Sequence, residues 1–199
     1  MTDPTFWIAA RVTGLVAFGL MTATMLFGLL LAGRGRPSWA RPADIVDLHK
    51  TLSLGALVMT GLHGVTLVLD RAVDIPVTAL LVPGMVPYRP LWTSLGVIAA
   101  WLALGVHTSF SLRKRIGPKT WRKLHYATYG AFALAAAHGL AAGTDSGKTW
   151  VLAMYGGAVG SVAAATAWRA GVEKRKSAAR KQAQGQAARR PAPPVTEPV

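Results

Sequence analysis

Apolar residues run along the chain in five long blocks, roughly Phe6 to Ala32, Ile45 to Leu69, Leu91 to Leu112, Leu124 to Gly143 and Thr149 to Trp168. A helix needs about 20 mostly apolar residues to cross a bilayer. Each block therefore predicts a span, and together they predict an all-α, polytopic membrane helix bundle with about five transmembrane helices. The first block is too long for the apolar core of a signal peptide, and it lacks a charged leader and a small-residue cleavage site. It is expected to remain as a helix of the mature protein. Between the second and third blocks, Ile75 to Val86 is apolar but too short to cross. It predicts either an interfacial or re-entrant segment or a loop packed over the helix ends.

The polar connections are unequal in charge. Arg34, Arg36 and Arg41 follow the first block, and Arg113, Lys114, Arg115, Lys119, Arg122 and Lys123 follow the third. Arg169, Lys174, Arg175, Lys176, Arg180, Lys181, Arg189 and Arg190 follow the last, whereas the other two connections hold only Arg71, Arg89 and Lys148. Short basic connections stay in the cytoplasm. The pattern predicts a multi-pass protein of the plasma (inner) membrane with the N-terminus outside and the C-terminus cytoplasmic. Trp7, Trp92 and Trp150 then fall at outer ends and Trp121 and Trp168 at inner ends, as an interfacial belt requires, while Trp101 sits deep. Residues 1–168 form the transmembrane domain on this reading. Residues 169–199 form a basic, largely disordered tail, Ala/Gln/Arg/Pro-rich after about Gln182, that sets topology or binds anionic lipid or a partner.

Composition sharpens this picture. The chain has a net charge of +14, yet only 15% of its residues are charged and 52% are apolar. The basic residues must therefore sit in short stretches between apolar ones, which favours membrane topology and predicts the lipid bilayer, not nucleic acid, as partner. There is no cysteine. Disulfides, thiolate zinc sites, Cys-ligated iron–sulfur clusters, covalent c-type haem and a thiol nucleophile are all excluded. A metal or cofactor has to be held by histidine, carboxylate or backbone.

Ionisable residues within spans cost a few kcal/mol and usually face a bundle interior. Four of the five histidines form two pairs: His49 and His63, 14 positions apart in the second block, and His125 and His138, 13 apart in the fourth. At ~1.5 Å per residue each pair covers roughly 20 Å, and the two blocks run in the same direction. His49 is then level with His125, and His63 with His138. Two helices that each present an imidazole at two matching depths can hold two low-spin haems, each iron ligated from both sides. Leu48-His49 matches Leu124-His125, and His63-Gly64 matches His138-Gly139, where the missing side chain would admit a macrocycle or another helix. Thirteen steps of ~100° leave His138 about 140° from the face of His125 on a straight helix. The fourth helix must be distorted, near Gly130 on this reading, or its ligands must approach from different sides. His107 has no level counterpart and is assigned to packing or hydrogen bonding.

These residues resemble the ferric reductase-like transmembrane domain family, the di-haem module shared by ferric reductases, NADPH oxidases and the haem subunit of a bacterial periplasmic methionine sulfoxide reductase system. The resemblance runs from about Phe6 to Trp168. It is carried by Leu48-His49-Lys50 through Leu62-His63-Gly64, by Tyr88-Arg89-Pro90-Leu91-Trp92, by Trp121-Arg122-Lys123-Leu124-His125, and by Ala137-His138-Gly139 with Ala142-Gly143-Thr144-Asp145. It implies two b-type haems with iron ligands His49, His63, His125 and His138. Haem propionates need cationic or hydrogen-bonding partners; Lys50, Arg122 and Lys123 are candidates inside, Arg11 and Arg89 outside. Many family members add a sixth helix and a cytoplasmic domain for FAD and NAD(P)H, whereas this chain shows no Gly-rich dinucleotide loop after a strand. The expectation is an oxidoreductase membrane subunit. A separate cytoplasmic flavin reductase or other donor would feed it, and an external acceptor such as ferric iron would receive the electrons. Delivery to a periplasmic methionine sulfoxide reductase, a quinol-linked cytochrome and a haem-free scaffold are the alternatives.

Overall fold

The computed structural model describes residues 5–33, 41–70 and 73–188. Among these residues six α-helices succeed one another: α1 Thr5–Gly33, α2 Pro42–Leu69, α3 Pro90–Ile116, α4 Pro118–His125, α5 Ala127–Ala142 and α6 Thr149–Ala188. Four of them, α1, α2, α3 and α6, are long and apolar enough to cross a membrane, and the protein is a multi-pass helical bundle. Arg34, Arg36, Arg71, Arg189, Arg190 and the terminal prolines lie outside the described residues.

Prolines open three of the helices: α2, α3 and α4 each carry proline in the first turn, where its missing N–H has no partner to lose. Gly117 joins α3 to α4 with φ of 82°, a value that suits glycine. Packing is pairwise. α1 lies along α2, α3 lies along α5, and α6 rests on α1. Where α1, α5 and α6 meet, Phe18 stacks between Phe132 and Tyr155 at centroid distances of 5.3 and 4.5 Å, with Met25, Leu29, Ala136, Val151 and Val162 around them. This cluster fixes the two helix pairs relative to each other. α2 and α5, which face each other across the middle, make only marginal backbone contact.

The fourth predicted span is present as α5 together with the last two residues of α4, and it carries the expected distortion at another place. α4 ends at His125 and α5 begins at Ala127, so the distortion lies at Tyr126 and not near Gly130. Its cause is local. Tyr126 N–H donates to the Lys123 carbonyl at 3.2 Å and Tyr129 N–H to the Tyr126 carbonyl at 3.1 Å, both three residues back. The Thr128 hydroxyl takes the His125 carbonyl at 2.8 Å. A 3₁₀-type turn advances about 120° per residue instead of ~100°, which carries His138 back toward the face of His125.

The described part of the connection between α2 and α3 folds onto both helices. A 3₁₀ turn, Val77–Leu80, sits in it, and Ile75, Ala79 and Val86 pack on Leu67, Val68, Val73 and Tyr88. Leu80 lies against Gly64, and the Leu81 carbonyl accepts from Trp101 Nε1 at 2.9 Å. Gly64 is five residues inside the end of α2 and Trp101 eleven inside the start of α3, depths of about 8 and 16 Å at the helical rise. The segment thus packs on the end of α2 and reaches along the flanks of both helices.

The tail also differs from expectation. Residues 169–188, predicted to be largely disordered, continue α6 as far as Ala188. Alanine, lysine, arginine and glutamine dominate this stretch and are strong helix formers. With 40 residues, α6 is about 60 Å long, twice the hydrocarbon thickness. Trp150 and Trp168 stand 18 residues apart on it, roughly 27 Å, which suits two interfacial anchors.

Candidate functional site

The four paired histidines meet as two opposed couples. His49 of α2 faces His125 at the end of α4 with ring centroids 6.2 Å apart, and His63 of α2 faces His138 of α5 at 6.3 Å. The predicted level pairing is what the structure shows. A metal ion about 2.0 Å from one nitrogen of each ring would place the two ring centres ~6.3 Å apart. Both separations match one ion held between two imidazoles. Among the described residues, no group of three or more His, Cys, Asp or Glu side chains comes together.

Three of these histidines are held by one repeated device. His63 Nδ1 bonds to the Ala10 carbonyl at 2.7 Å, His49 Nδ1 to the Thr24 carbonyl at 3.0 Å, and His138 Nδ1 to the Trp92 carbonyl at 2.9 Å. A carbonyl only accepts, so Nδ1 carries the proton in each case and the Nε2 lone pair stays available for a metal. Each accepting carbonyl lies four residues before a glycine: Gly14, Gly28 and Gly96. Those glycines make the approach possible. A Cβ would stand 3.0 Å from the His63 ring at Gly14, 3.2 Å from His49 at Gly28 and 2.8 Å from His138 at Gly96. The sequence reading had not singled out these three glycines. The signal was present, because Gly14 and Gly28 are 14 residues apart, as are His63 and His49 on the antiparallel neighbour.

The glycines beside the histidines in sequence do something else. Gly64 faces Leu80, and a Cβ on Gly139 would run into the Tyr155 hydroxyl. Both admit protein neighbours and not a macrocycle. His125 is also held differently. Its ring lies 5.0 Å from that of Trp121 at 31°, and its Nδ1 is buried with no hydrogen-bond partner among the described residues, as is Trp121 Nε1. His107 stands apart from both couples, its Nδ1 3.0 Å from the Ser53 hydroxyl, where it ties α3 to α2.

The candidate cations are mostly engaged by protein groups. Arg11 pairs with Asp145 and lies over the Trp7 ring at 4.2 Å, while Lys148 approaches the same carboxylate at 3.1 Å. Arg89, at φ of 43°, donates to the Ala141 carbonyl at the end of α5. Lys50 bonds to Asp47 at 3.2 Å, Arg122 to the Pro118 carbonyl at 3.3 Å, and Lys123 is exposed. The structure therefore gathers the four histidines, and four of these five cations bond to protein groups.

Comparison with curated proteins and with solved structures returns no match. The family model described as ferric reductase like transmembrane component matches residues 13–136. That stretch holds His49, His63 and His125 and stops two residues short of His138, which enters the site through its place opposite His63. It also takes in Gly14, Gly28 and Gly96, the residues that let the histidine rings approach. With well over half of its length matched, the chain belongs to the ferric reductase-like transmembrane component family.

Proposed function

We propose that the chain binds two b-type haems and carries electrons across the plasma membrane. The cytoplasmic donor is a separate protein such as a flavin reductase, and the acceptor, ferric iron for example, is external. The observation that carries this reading is the pair of ring separations, 6.2 and 6.3 Å, stacked along one bundle and each fitting a single ion between two imidazoles. Two protein ligands per ion leave the remaining positions to a macrocycle, and without cysteine that macrocycle is held non-covalently.

Haem, when bound, supplies one-electron chemistry at its iron. The chain supplies ligands, orientation and a dry setting. The Ala10, Thr24 and Trp92 carbonyls fix three imidazoles in the tautomer that ligates and make them better electron donors. Positive-inside topology places the end carrying Arg113, Lys114, Arg115 and the α4 cations in the cytoplasm. His49 and His125 then form the inner couple, and His63 and His138 the outer one.

Proteoliposomes test the reading. With dithionite trapped inside and ferricyanide outside, vesicles holding the purified protein should consume ferricyanide faster than empty ones. His63→Ala should return the rate to that of empty vesicles. Equal rates with and without the wild-type protein would contradict electron transfer.

A further inference from the structure

The corner where α3 turns into α4 carries six cations in eleven residues, Arg113, Lys114, Arg115, Lys119, Arg122 and Lys123, and all six are exposed. The sequence holds no carboxylate from Ile75 to Thr144. Among the described residues, none of the six has an acidic partner, whereas Arg41 pairs with Asp44, Lys50 with Asp47 and Lys176 with Glu173. Topology needs basic residues on one side of the membrane and is indifferent to how they are arranged there. The arrangement here is specific.

A run of ring contacts joins this corner to both histidines of the basic-end couple. On one side Lys50, the residue after His49, places its Nζ 5.5 Å from the Phe110 ring. On the other, the His125 ring lies 5.0 Å from Trp121, and Trp121 lies 6.0 Å from Phe110. The Arg113 guanidinium stands 5.4 Å from Phe110 and 5.7 Å from Trp121. α4 itself is two-sided. Lys119, Arg122 and Lys123 are exposed, while Trp121 Nε1 and His125 Nδ1 are buried. Lys119 precedes His125 by six residues, about 9 Å of helix, so a molecule held by the α4 cations sits close to a candidate iron ligand. The α6 cations beyond Trp168 are as exposed, but among the described residues no ring contact links them to a histidine.

We propose that the α3–α4 corner is the docking surface for the cytoplasmic electron donor, a protein with an acidic face, which it holds at the end of the bundle nearest His49 and His125. This rests on the proposed haem binding and electron transfer. Phe110, 46% exposed beside the unpaired Arg113, supplies an aromatic anchor among cations. Charges spread over two helices suit a protein face better than a single phosphate. Anionic lipid headgroups are the competing occupant, but they gain nothing from lying beside a ligand, whereas a donor must come close to the haem it reduces. Complementary charge in such an encounter acts chiefly on the association rate, by ~10–10³-fold.

Anaerobic stopped-flow mixing of the full-length, haem-loaded protein in neutral detergent with photoreduced flavodoxin, an acidic one-electron donor, tests this. The second-order rate of haem reduction should fall steeply as salt rises. Lys114→Gln, Arg115→Gln and Lys119→Gln combined should lower the low-salt rate about tenfold. Lys174→Gln, Arg175→Gln and Lys176→Gln combined remove the same charge from α6 and should lower it by about twofold at most. Equal slowing of the two triple variants would make net charge the cause, and equal rates for wild type and corner variant would return these cations to topology and lipid headgroups. Either result overturns the inference, as does a wild-type rate indifferent to salt. If the corner variant fails to accumulate, Lys114→Gln set against Lys174→Gln makes the same comparison. A protein that purifies without haem, or whose haem dithionite does not reduce, would instead defeat the proposed function, so the two failures are distinguishable.

Discussion

His63 and His138 face each other with ring centres 6.3 Å apart, although α2 and α5, the helices that carry them, hardly touch. Direct helix packing therefore does not set the separation. Each ring is instead tied backward to another helix, His63 to α1 at Ala10 and His138 to α3 at Trp92. Two helix pairs thus act as two jaws, and the histidines are the teeth.

The glycines behind the rings should matter as much as the ligands. Gly96→Ala puts a Cβ 2.8 Å from the His138 ring and Gly14→Ala puts one 3.0 Å from His63. Overpacking of this kind costs about 1–3 kcal/mol, so both variants should lose the haem between His63 and His138. Gly19→Ala and Gly61→Ala meet nothing within 4 Å and should keep both haems. The haem-to-protein ratio of each purified variant checks the contrast.

His107→Ala should leave both haems bound. Its partner is the Ser53 hydroxyl and no other histidine faces it, so the loss is one interhelical hydrogen bond, about 1 kcal/mol. Thermal melting of the solubilised protein should fall slightly with an unchanged visible spectrum. A missing Soret band in this variant would place His107 among the ligands.

Arg11 offers a sharper choice. The structure pairs it with Asp145, 14% exposed, so that it joins the start of α1 to the α5–α6 connection. Arg11→Leu should destabilise by about 1–3 kcal/mol by leaving that carboxylate short of a partner. Asp145→Asn in the same chain should recover much of the loss, with both haems kept throughout. Unchanged melting together with loss of one haem would return Arg11 to the role of propionate partner.

Topology can be mapped against a clean background because the chain has no cysteine. Ser146→Cys should react with an impermeant maleimide from outside intact cells, and Gln182→Cys only after the membrane is opened. The reverse pattern would exchange the inner and outer labels of the two couples and leave the ligands as they are.

Much of this was legible in the sequence. Block length gave the helices, and the equal depths of His49 with His125 and His63 with His138 gave the couples, because both depend only on the helical rise. The split at Tyr126 was signalled by a 13-residue spacing that a straight helix cannot accommodate, but its position depends on backbone turns and the Thr128 hydroxyl. The role of Gly14, Gly28 and Gly96 was hidden because it needs the antiparallel register of α1 on α2 and of α3 on α5. The helical run to Ala188 was masked by polarity: a stretch with no apolar face reads as tail, although its residues favour helix.

The central claim is two haems on four histidines, and the haem content of the purified full-length protein tests it most directly. Absorption spectroscopy with extraction into denaturing solvent should give a b-type spectrum, complete release of the pigment and a haem-to-protein ratio of about two, since there is no cysteine for covalent attachment. A ratio near one would make one of the two couples structural. A colourless protein after expression with ample haem would contradict the account outright.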